Sequence, residues 1–410
     1  MQNEGRAGEN LSRREFLKSG LAGLAVTPLM AAETEVDAGR RFQTSTEMQY
    51  RILGKRTNLK VSEIGFGGYA INDPEVIHYA SDRGINYIDT AWCYRDGASE
   101  ENIGKAMKKL RNKFVLTTKW HPWGKTTKKE MMEMINTSLK RLQTDYVDCL
   151  LVHQVGQASG GESLERLQNP ELYEAYEQAK KEGKVRFSGV SGHDGDLMEI
   201  MNWVIDKGFF DVILMRYSFM QYQEQKALIQ RAYEKGIGVV AMKVLSGAKG
   251  EDDPKLYQRD GASFKQAAIK WVLSNPHVSN LIITINSKNQ VDEYAPVSGS
   301  RFGARDREIL DYYARVYRNE ICTFCNACEP SCPHHLAVAD ILRFYMYAEN
   351  YHLPEQGQLA YASLPVERRA DHCIDCSAPC MDDCPSGVNI KREMKKAYDK
   401  LSIADRLPLA

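Results

Sequence analysis

The chain has 410 residues, 43% hydrophobic and 26% charged, and its 54 basic residues are matched by 54 acidic ones. Zero net charge excludes a protein held to nucleic acid or to an anionic membrane by bulk electrostatics, and the composition suits one large globular domain plus a small one. No apolar run reaches the roughly 18 residues that a bilayer span needs.

The first distinctive stretch is Ser12-Arg13-Arg14-Glu15-Phe16-Leu17-Lys18, followed by an uncharged run over Ser19–Ala32. A charged head, a short apolar middle and small residues at the end predict a signal peptide over 1–32 rather than a membrane helix. The paired arginines resemble the twin-arginine export signal. That implies the twin-arginine machinery as a partner and a periplasmic or extracytoplasmic destination. This route carries folded proteins. Residues 33–48 are polar and read as a linker.

From residue 49 to 300 short apolar runs alternate with amphipathic stretches. Strand candidates are Val61–Gly67, Tyr87–Thr90, Phe114–Lys119, Val147–His153, Phe187–Val190, Val212–Arg216, Gly238–Lys243 and Leu281–Ile285. Each is followed by a helical pattern, and several helices end at a glycine (Gly84, Gly183, Gly208, Gly236) suited to the left-handed turn after a helix. Eight such units predict an α/β fold, a parallel (β/α)8 barrel. A doubly wound open sheet is the alternative, but Gly65-Phe66-Gly67-Gly68 lacks the G-x-G-x-x-G spacing of a dinucleotide turn. Chemistry in barrels gathers where strands end. Those ends carry Asp89 and Tyr94, then Lys119, then His153. An acid, a phenol, an ammonium and an imidazole from successive units make a candidate catalytic set. Cys149 lies in an apolar strand and reads as core, whereas Cys93 neighbours Tyr94. Gln154–Gln168 is a long polar loop, read as a lid or a partner surface.

The strings Asp89-Thr90-Ala91-x-x-Tyr94, Gly97-x-Ser99-Glu100-x-x-Ile103-Gly104, Thr118-Lys119, Asp148-x-x-Leu151-x-His153 and Gly183-Lys184-Val185-Arg186-x-x-Gly189-Val190-Ser191 resemble the aldo/keto reductase superfamily. The resemblance implies that Tyr94 is the general acid for a carbonyl oxygen, that Lys119 lowers the Tyr94 pKa, that Asp89 orients Lys119, and that His153 positions the substrate carbonyl. It also implies hydride from NAD(P)H, with Ser191, Met242, Lys243, Ser287, Lys288 and Gln290 at the cofactor positions. The sequence departs from the family there. Gly192 stands where asparagine is usual, Leu214 where glutamine is usual, Met242 where a stacking aromatic is usual, and Gln290 where a basic residue is usual.

Residues 301–320 predict a linking helix. The run Cys322-Thr-Phe-Cys325-Asn-Ala-Cys328-Glu-Pro-Ser-Cys332-Pro333 is C-x2-C-x2-C-x3-C-P, the spacing of a ferredoxin cluster site, and Cys373, Cys376, Cys380, Cys384 and Pro385 repeat it with one extra residue. Where two clusters share such runs, the fourth cysteine of each serves the other cluster. That rule gives Cys322, Cys325, Cys328 and Cys384 to one [4Fe–4S] cluster and Cys373, Cys376, Cys380 and Cys332 to a second. Zinc and disulfides compete with this assignment, although zinc usually takes two separated C-x2-C pairs. Each C-P leads into a similar helical segment, which suggests a duplicated half-module over 321–395. Pro354-Glu-Gln-Gly357 and Pro365 read as a loop between the halves, and 396–410 as a tail. The resemblance extends to aldo/keto reductases that carry a ferredoxin-like C-terminal domain.

Three readings follow. One is an exported oxidoreductase acting on a small-molecule carbonyl or alcohol and coupled to two clusters. The second is an electron-transfer or docking protein, with a redox partner protein, that keeps the barrel as a scaffold. The third makes the clusters structural pins.

Overall fold

The computed structural model describes residues 47–155, 163–193, 195–220, 224–249, 253–256 and 263–402. The signal segment and most of its linker lie outside the described residues, as does the centre of the Gln154–Gln168 loop.

Two short strands, β1 (Tyr50–Ile52) and β2 (Lys60–Ser62), pair antiparallel. Eight parallel strands follow: β3 (Ile64–Gly67), β4 (Tyr87–Asp89), β5 (Val115–Trp120), β6 (Val147–Val155), β7 (Val185–Gly192), β8 (Val212–Arg216), β9 (Gly238–Met242) and β10 (Asn280–Thr284). They close in the order β10-β3-β4-β5-β6-β7-β8-β9. This is the expected (β/α)8 barrel.

The single strand expected at Val61–Gly67 is in fact two. Glu63 breaks it: the buried carboxylate accepts from Arg51 Nε (2.9 Å), Ser298 Oγ (2.9 Å) and Gly299 N (2.8 Å). Those bonds fix a bend between hairpin and barrel. The hairpin then seals the end where the strands begin. Leu53 and Val61 pack with Tyr87, Val115, Cys149, Leu151, Val212, Leu214 and Val240 inside the barrel.

The helices between strands include α1 (Pro74–Asp82), α2 (Ala98–Leu110), α3 (Lys128–Leu142), α4 (Pro170–Lys181), α5 (Leu197–Lys207), α6 (Glu224–Glu234) and α7 (Phe264–Leu273). Helix α3 shows why these segments fold where they do. Thr127 and Glu130 form a capping box at its start, and Gln143 takes the left-handed conformation at its end. Met131, Ile135, Leu139 and Leu142 recur at helical spacing and are buried, each contributing about 1.5–3 kcal/mol of transfer free energy. After a short helix α8 (Lys288–Tyr294), the linking helix α9 (Ala304–Tyr317) lies on α7, with Tyr313 stacked on Phe264 at 4.0 Å.

The C-terminal part packs α10 (Val338–Glu349), α11 (Pro354–Ala362) and α12 (Ile390–Leu401) around a second core that includes Cys328, Cys332, Cys373 and Cys380. Its two halves repeat in detail. The amide three residues after the last cysteine bonds back to it, His335 N to Cys332 O at 3.1 Å and Gly387 N to Cys384 O at 3.0 Å. Both residues have positive φ (50° and 64°), and a helix starts three residues later in each half.

The stretch read as a loop at Pro354–Gly357 is instead the start of α11. Proline is favourable at a first helical position, where its missing N–H bonds nothing anyway. Gly357 lets α11 meet α10, because a Cβ there would stand 2.6 Å from Phe344 O.

Candidate active site and cysteine centres

The ends of β4, β5 and β6 bring the four predicted catalytic residues together. Asp89 closes β4, Lys119 lies near the end of β5, and His153 lies near the end of β6. Tyr94 follows β4 on a short turn in which Arg95 and Asp96 take positive φ. Lys119 Nζ donates to Asp89 Oδ1 at 2.5 Å, to Thr90 O at 2.6 Å and to Tyr94 Oη at 3.2 Å. Both members of the ion pair are 1% exposed. A buried ammonium with three oxygen acceptors is held in one position, and it presents charge to the phenol oxygen.

The acid–base character differs in one respect from what the resemblance implies. Burial pushes the Tyr94 phenol well above its ordinary value of 10.0, and the nearby Asp89 carboxylate adds to the rise. Lys119 touches the phenol oxygen, yet in this closed pocket desolvation wins. Burial likewise pushes the Asp89 carboxyl up, while Lys119 pulls it back. Tyr94 is therefore a protonated donor throughout the neutral range.

His153 is kept neutral. Burial holds its imidazole well below 6.5, with His121 and Lys119 adding to the effect. Its Nδ1 lies 3.6 Å from Cys93 Sγ. Burial pushes the Cys93 thiol up to about 11, so the S–H is present to donate. With Nδ1 accepting, the remaining ring proton falls on Nε2, which makes that nitrogen a donor toward substrate. Arg166 fixes the strand end by donating to His153 O at 2.7 Å and Pro122 O at 2.9 Å. Cys149, by contrast, is fully buried core as expected.

Sequence reasoning passed over the surrounding rings. Tyr69 stands edge-on to Tyr94 at 4.8 Å, and His121 stacks on His153 at 4.7 Å. Trp92 and Trp123 flank His121 at 6.1 and 6.2 Å. Burial, Arg166 and Lys119 push the His121 imidazole down to about 3. Cys93, His121 and His153 offer ligand atoms within 4.8 Å of one another. The Lys119 ammonium that faces both imidazoles, however, opposes a cation. Cys93 and His153 share a hydrogen bond, and His121 stacks on His153 as part of the pocket wall, its buried Nε2 without a partner among the described residues.

At the cofactor-side strand ends the picture is mixed. Ser191, near the end of β7, carries a buried hydroxyl with no hydrogen-bond partner among the described residues. An orphaned buried hydroxyl at this place fits an amide such as that of nicotinamide. Met242 ends β9, two strands along the rim and in register with Arg216 of β8, and is half-buried. Ser287 and Gln290 are spent locally: Ser287 Oγ accepts from Gln290 N at 3.4 Å, and Gln290 Oε1 accepts from Asn286 N at 2.8 Å. Lys288 is exposed over the Tyr79 ring. Lys243 donates to Tyr347 Oη of the C-terminal part at 3.2 Å. The nicotinamide end of the groove thus fits a cofactor, and the phosphate end is engaged in contacts of its own.

The C-terminal part sits on this same rim. Phe324 lies under the Arg216 guanidinium at the end of β8, 5.6 Å from ring centre to Cζ. Asn326 approaches the loop after β7 so closely that a Cβ on Gly195 would meet it at 2.0 Å. Lys249 bridges to Glu320 (3.2 Å) and Glu393 (3.5 Å).

All eight cysteines of the two runs are free thiols. Cys322 faces Cys325 and Cys384, and Cys373 faces Cys376, Cys380 and Cys332. These neighbours match the crossed assignment, while Cys328 also neighbours Cys380, and Cys380 also neighbours Cys384, across the two quartets. Backbone amides at 3.3 Å donate to Cys322, Cys376 and Cys384 Sγ, bonds that favour ligating thiolates. The quartets fit two clusters.

Comparison with known proteins agrees with both parts. Residues 63–255 match the aldo/keto reductase family, and residues 321–390 match the 4Fe-4S dicluster domain. The chain carries an aldo/keto reductase domain. Its chemistry is that of an oxidoreductase. L-galactose dehydrogenase of Arabidopsis thaliana is 29% identical over 60% of this chain and 87% of its own. The aldo-keto reductase YhdN of Bacillus subtilis is 26% identical over 64% of this chain and 93% of its own. An aldo/keto reductase from Klebsiella pneumoniae, solved with NADP and acetate, superposes with a TM-score of 0.53 at 27% identity, covering 64% of this chain and 94% of the other. These likenesses cover the barrel. Among the described residues no helix is long and apolar enough to cross a membrane.

Proposed function

We propose that this protein is an exported oxidoreductase that reduces a small-molecule carbonyl compound, or oxidises the matching alcohol, in the barrel, and that two [4Fe–4S] clusters connect the site to a redox partner protein. The observation that carries the reading is the hydrogen-bonded line from Asp89 through Lys119 to Tyr94, with His153 beside it. In the reduction direction a carbonyl oxygen sits between the Tyr94 hydroxyl and the His153 Nε2–H. His153 polarises and positions it. Tyr94 gives up its proton as negative charge develops on the oxygen, and Lys119 stabilises the phenolate that remains. Asp89 keeps Lys119 charged and in place. Wall residues Tyr69, Trp92 and His121 exclude water, which strengthens these interactions.

Ser191 and Met242 would hold a nicotinamide, the cofactor that the Klebsiella relative binds as NADP. Such a group, when bound, supplies the hydride that completes the reduction. Cys322, Cys325, Cys328 and Cys384, and Cys373, Cys376, Cys380 and Cys332, would hold the clusters, which supply or accept single electrons.

The test is an anaerobic titration of the cluster-loaded full chain with NADH and NADPH, followed by fluorescence and by cluster absorbance. Binding of either nucleotide, with carbonyl turnover that Tyr94→Phe abolishes, supports the reading. The second reading, a docking or electron-transfer protein with a barrel scaffold, is favoured by Ser287, Gln290 and Lys243 being engaged elsewhere. No nucleotide binding together with reversible cluster reduction by another donor would decide for it. Export rests on the Arg13-Arg14 leader. A fusion of residues 1–48 to a folded reporter should reach the periplasm, and the Arg13→Lys, Arg14→Lys pair should retain it in the cytoplasm.

A further inference from the structure

The two cysteine quartets do not share one environment. The run from Cys322 to Cys332 is the inner one: Thr323, Phe324, Cys328 and Cys332 are buried, and the loop faces the barrel rim. The run from Cys373 to Cys384 is the outer one, with Asp371, Asp375, Asp382 and Asp383 all exposed around it. Burial makes the added negative charge of a reduced cluster costly, because water no longer solvates it. By that argument either quartet should be hard to reduce unless a positive charge offsets the cost, since Cys328 of the inner quartet and Cys332, Cys373 and Cys380 of the outer one are all buried.

Such a charge comes from the barrel. Arg216 is the last residue of β8 and is 5% exposed. It spans Phe324, whose amide donates to Cys322 Sγ at 3.3 Å, and its guanidinium electrostatically favours the Cys322 thiolate. In register across the sheet it stands beside Met242, at the position read as nicotinamide-holding. The one acid within the inner run, Glu329, is faced by Arg368 at 3.9 Å. The outer quartet has a different cation, Lys391, which donates to Cys376 O at 2.7 Å from within the C-terminal part.

We infer that Arg216 is a positioning residue of the barrel that raises the reduction potential of the Cys322, Cys325, Cys328 and Cys384 quartet, and so makes this inner cluster the one through which electrons pass between the C-terminal domain and the active site. The inference rests on the quartets holding clusters. The electron step involves no bond. One electron would leave the reduced outer cluster and enter the oxidised inner one, a one-electron carrier protein would replenish the outer, and two such electrons with one proton would return an oxidised nicotinamide in the barrel to its hydride-donating form.

The experiment is an anaerobic redox titration of the cluster-loaded full chain with dithionite and mediators, read by electron paramagnetic resonance. Wild-type protein should show two reducible signals. In Arg216→Gln one signal moves to lower potential, with about tenfold less of it reduced at the wild-type midpoint, and the other stays. In Arg216→Lys, which keeps the charge, the displacement is smaller. In Asp375→Asn the other signal moves, to higher potential. If Arg216→Gln loses iron, Met242→Glu sets a carboxylate against Arg216 in register and should displace the same signal downward. Unchanged midpoints in Arg216→Gln, or in Met242→Glu where that variant stands in, overturn the inference, as does an equal shift of both signals. Wild-type protein with no cluster signals after loading overturns the cluster reading itself, and this inference with it.

Discussion

One side of the barrel rim, at the ends of β4 to β6, is closed and cross-braced, although Asp89 Oδ2, Trp92 Nε1 and His121 Nε2 are buried without a hydrogen-bond partner among the described residues. Lys119 has three oxygen acceptors, Cys93 bonds His153, and Arg166 ties the strand end to its neighbouring loop. The other side, at β7 to β9, has an orphaned Ser191 hydroxyl, a methionine in place of a ring, and a second domain resting on Lys243 and Arg216. The contrast teaches where change was tolerated. Proton transfer depends on fixed geometry within one pocket, whereas electron delivery can be re-sourced if another carrier reaches the same rim.

The sharpest way to break the comparison is Tyr94→Phe. Carbonyl turnover should fall by about 10²–10⁴-fold while circular dichroism and iron content stay at wild-type levels. Retained turnover would remove the proton-donor side altogether. Next is Lys119→Met, which leaves the buried Asp89 carboxylate unpaired. Denaturant unfolding should show a loss of about 3–5 kcal/mol, and adding Asp89→Leu should recover most of it without restoring turnover. On the other side of the rim, Ser191→Ala should weaken nicotinamide binding by about tenfold, measured by fluorescence titration, through loss of one hydrogen bond. Equal affinity would move the cofactor away from β7.

A smaller effect is expected with pH. Tyr94 is raised above 10.0 and His153 is lowered below 6.5, so neither changes protonation between them. The reduction rate should run flat from about pH 7 to 9, and a limb in that range would contradict the burial argument. Stability should show the acid side. The folded chain holds His121 near 3 while the unfolded chain takes up its proton near 6.5, so stability is fully present above 6.5 and declines as pH falls from 6.5 toward 3. His121→Phe should flatten that slope in a thermal-melt series.

The barrel was legible because each strand is a short apolar run followed by an amphipathic helix, and the four candidate catalytic residues because strand ends are where side chains face the rim. Glu63 was not legible as a break, since its three partners lie far away at Arg51, Ser298 and Gly299. Proline and glycine at 354 and 357 read as a loop because their usual meaning is a turn. Only the contact with α10 shows that the glycine serves a helix crossing. Arg216 was invisible for the same reason: its value lies in Phe324, supplied by another domain. The Tyr94 shift was misjudged because sequence shows the neighbouring lysine and not the depth of burial.

The crossed cysteines also bear on how the protein is made. Cys332 belongs to the half that opens at Cys322 yet faces Cys373, while Cys384 belongs to the later half yet faces Cys322. Neither half can complete a quartet alone, so a nascent chain that has emerged only as far as α11 has three ligands for one cluster and one for the other. In the proposed crossed assignment, iron loading would wait for the whole C-terminal part and would then cross-link both halves while the inner quartet rests on the barrel. Under the export proposed above, a filled pair of clusters would then report that synthesis, folding and docking are all finished.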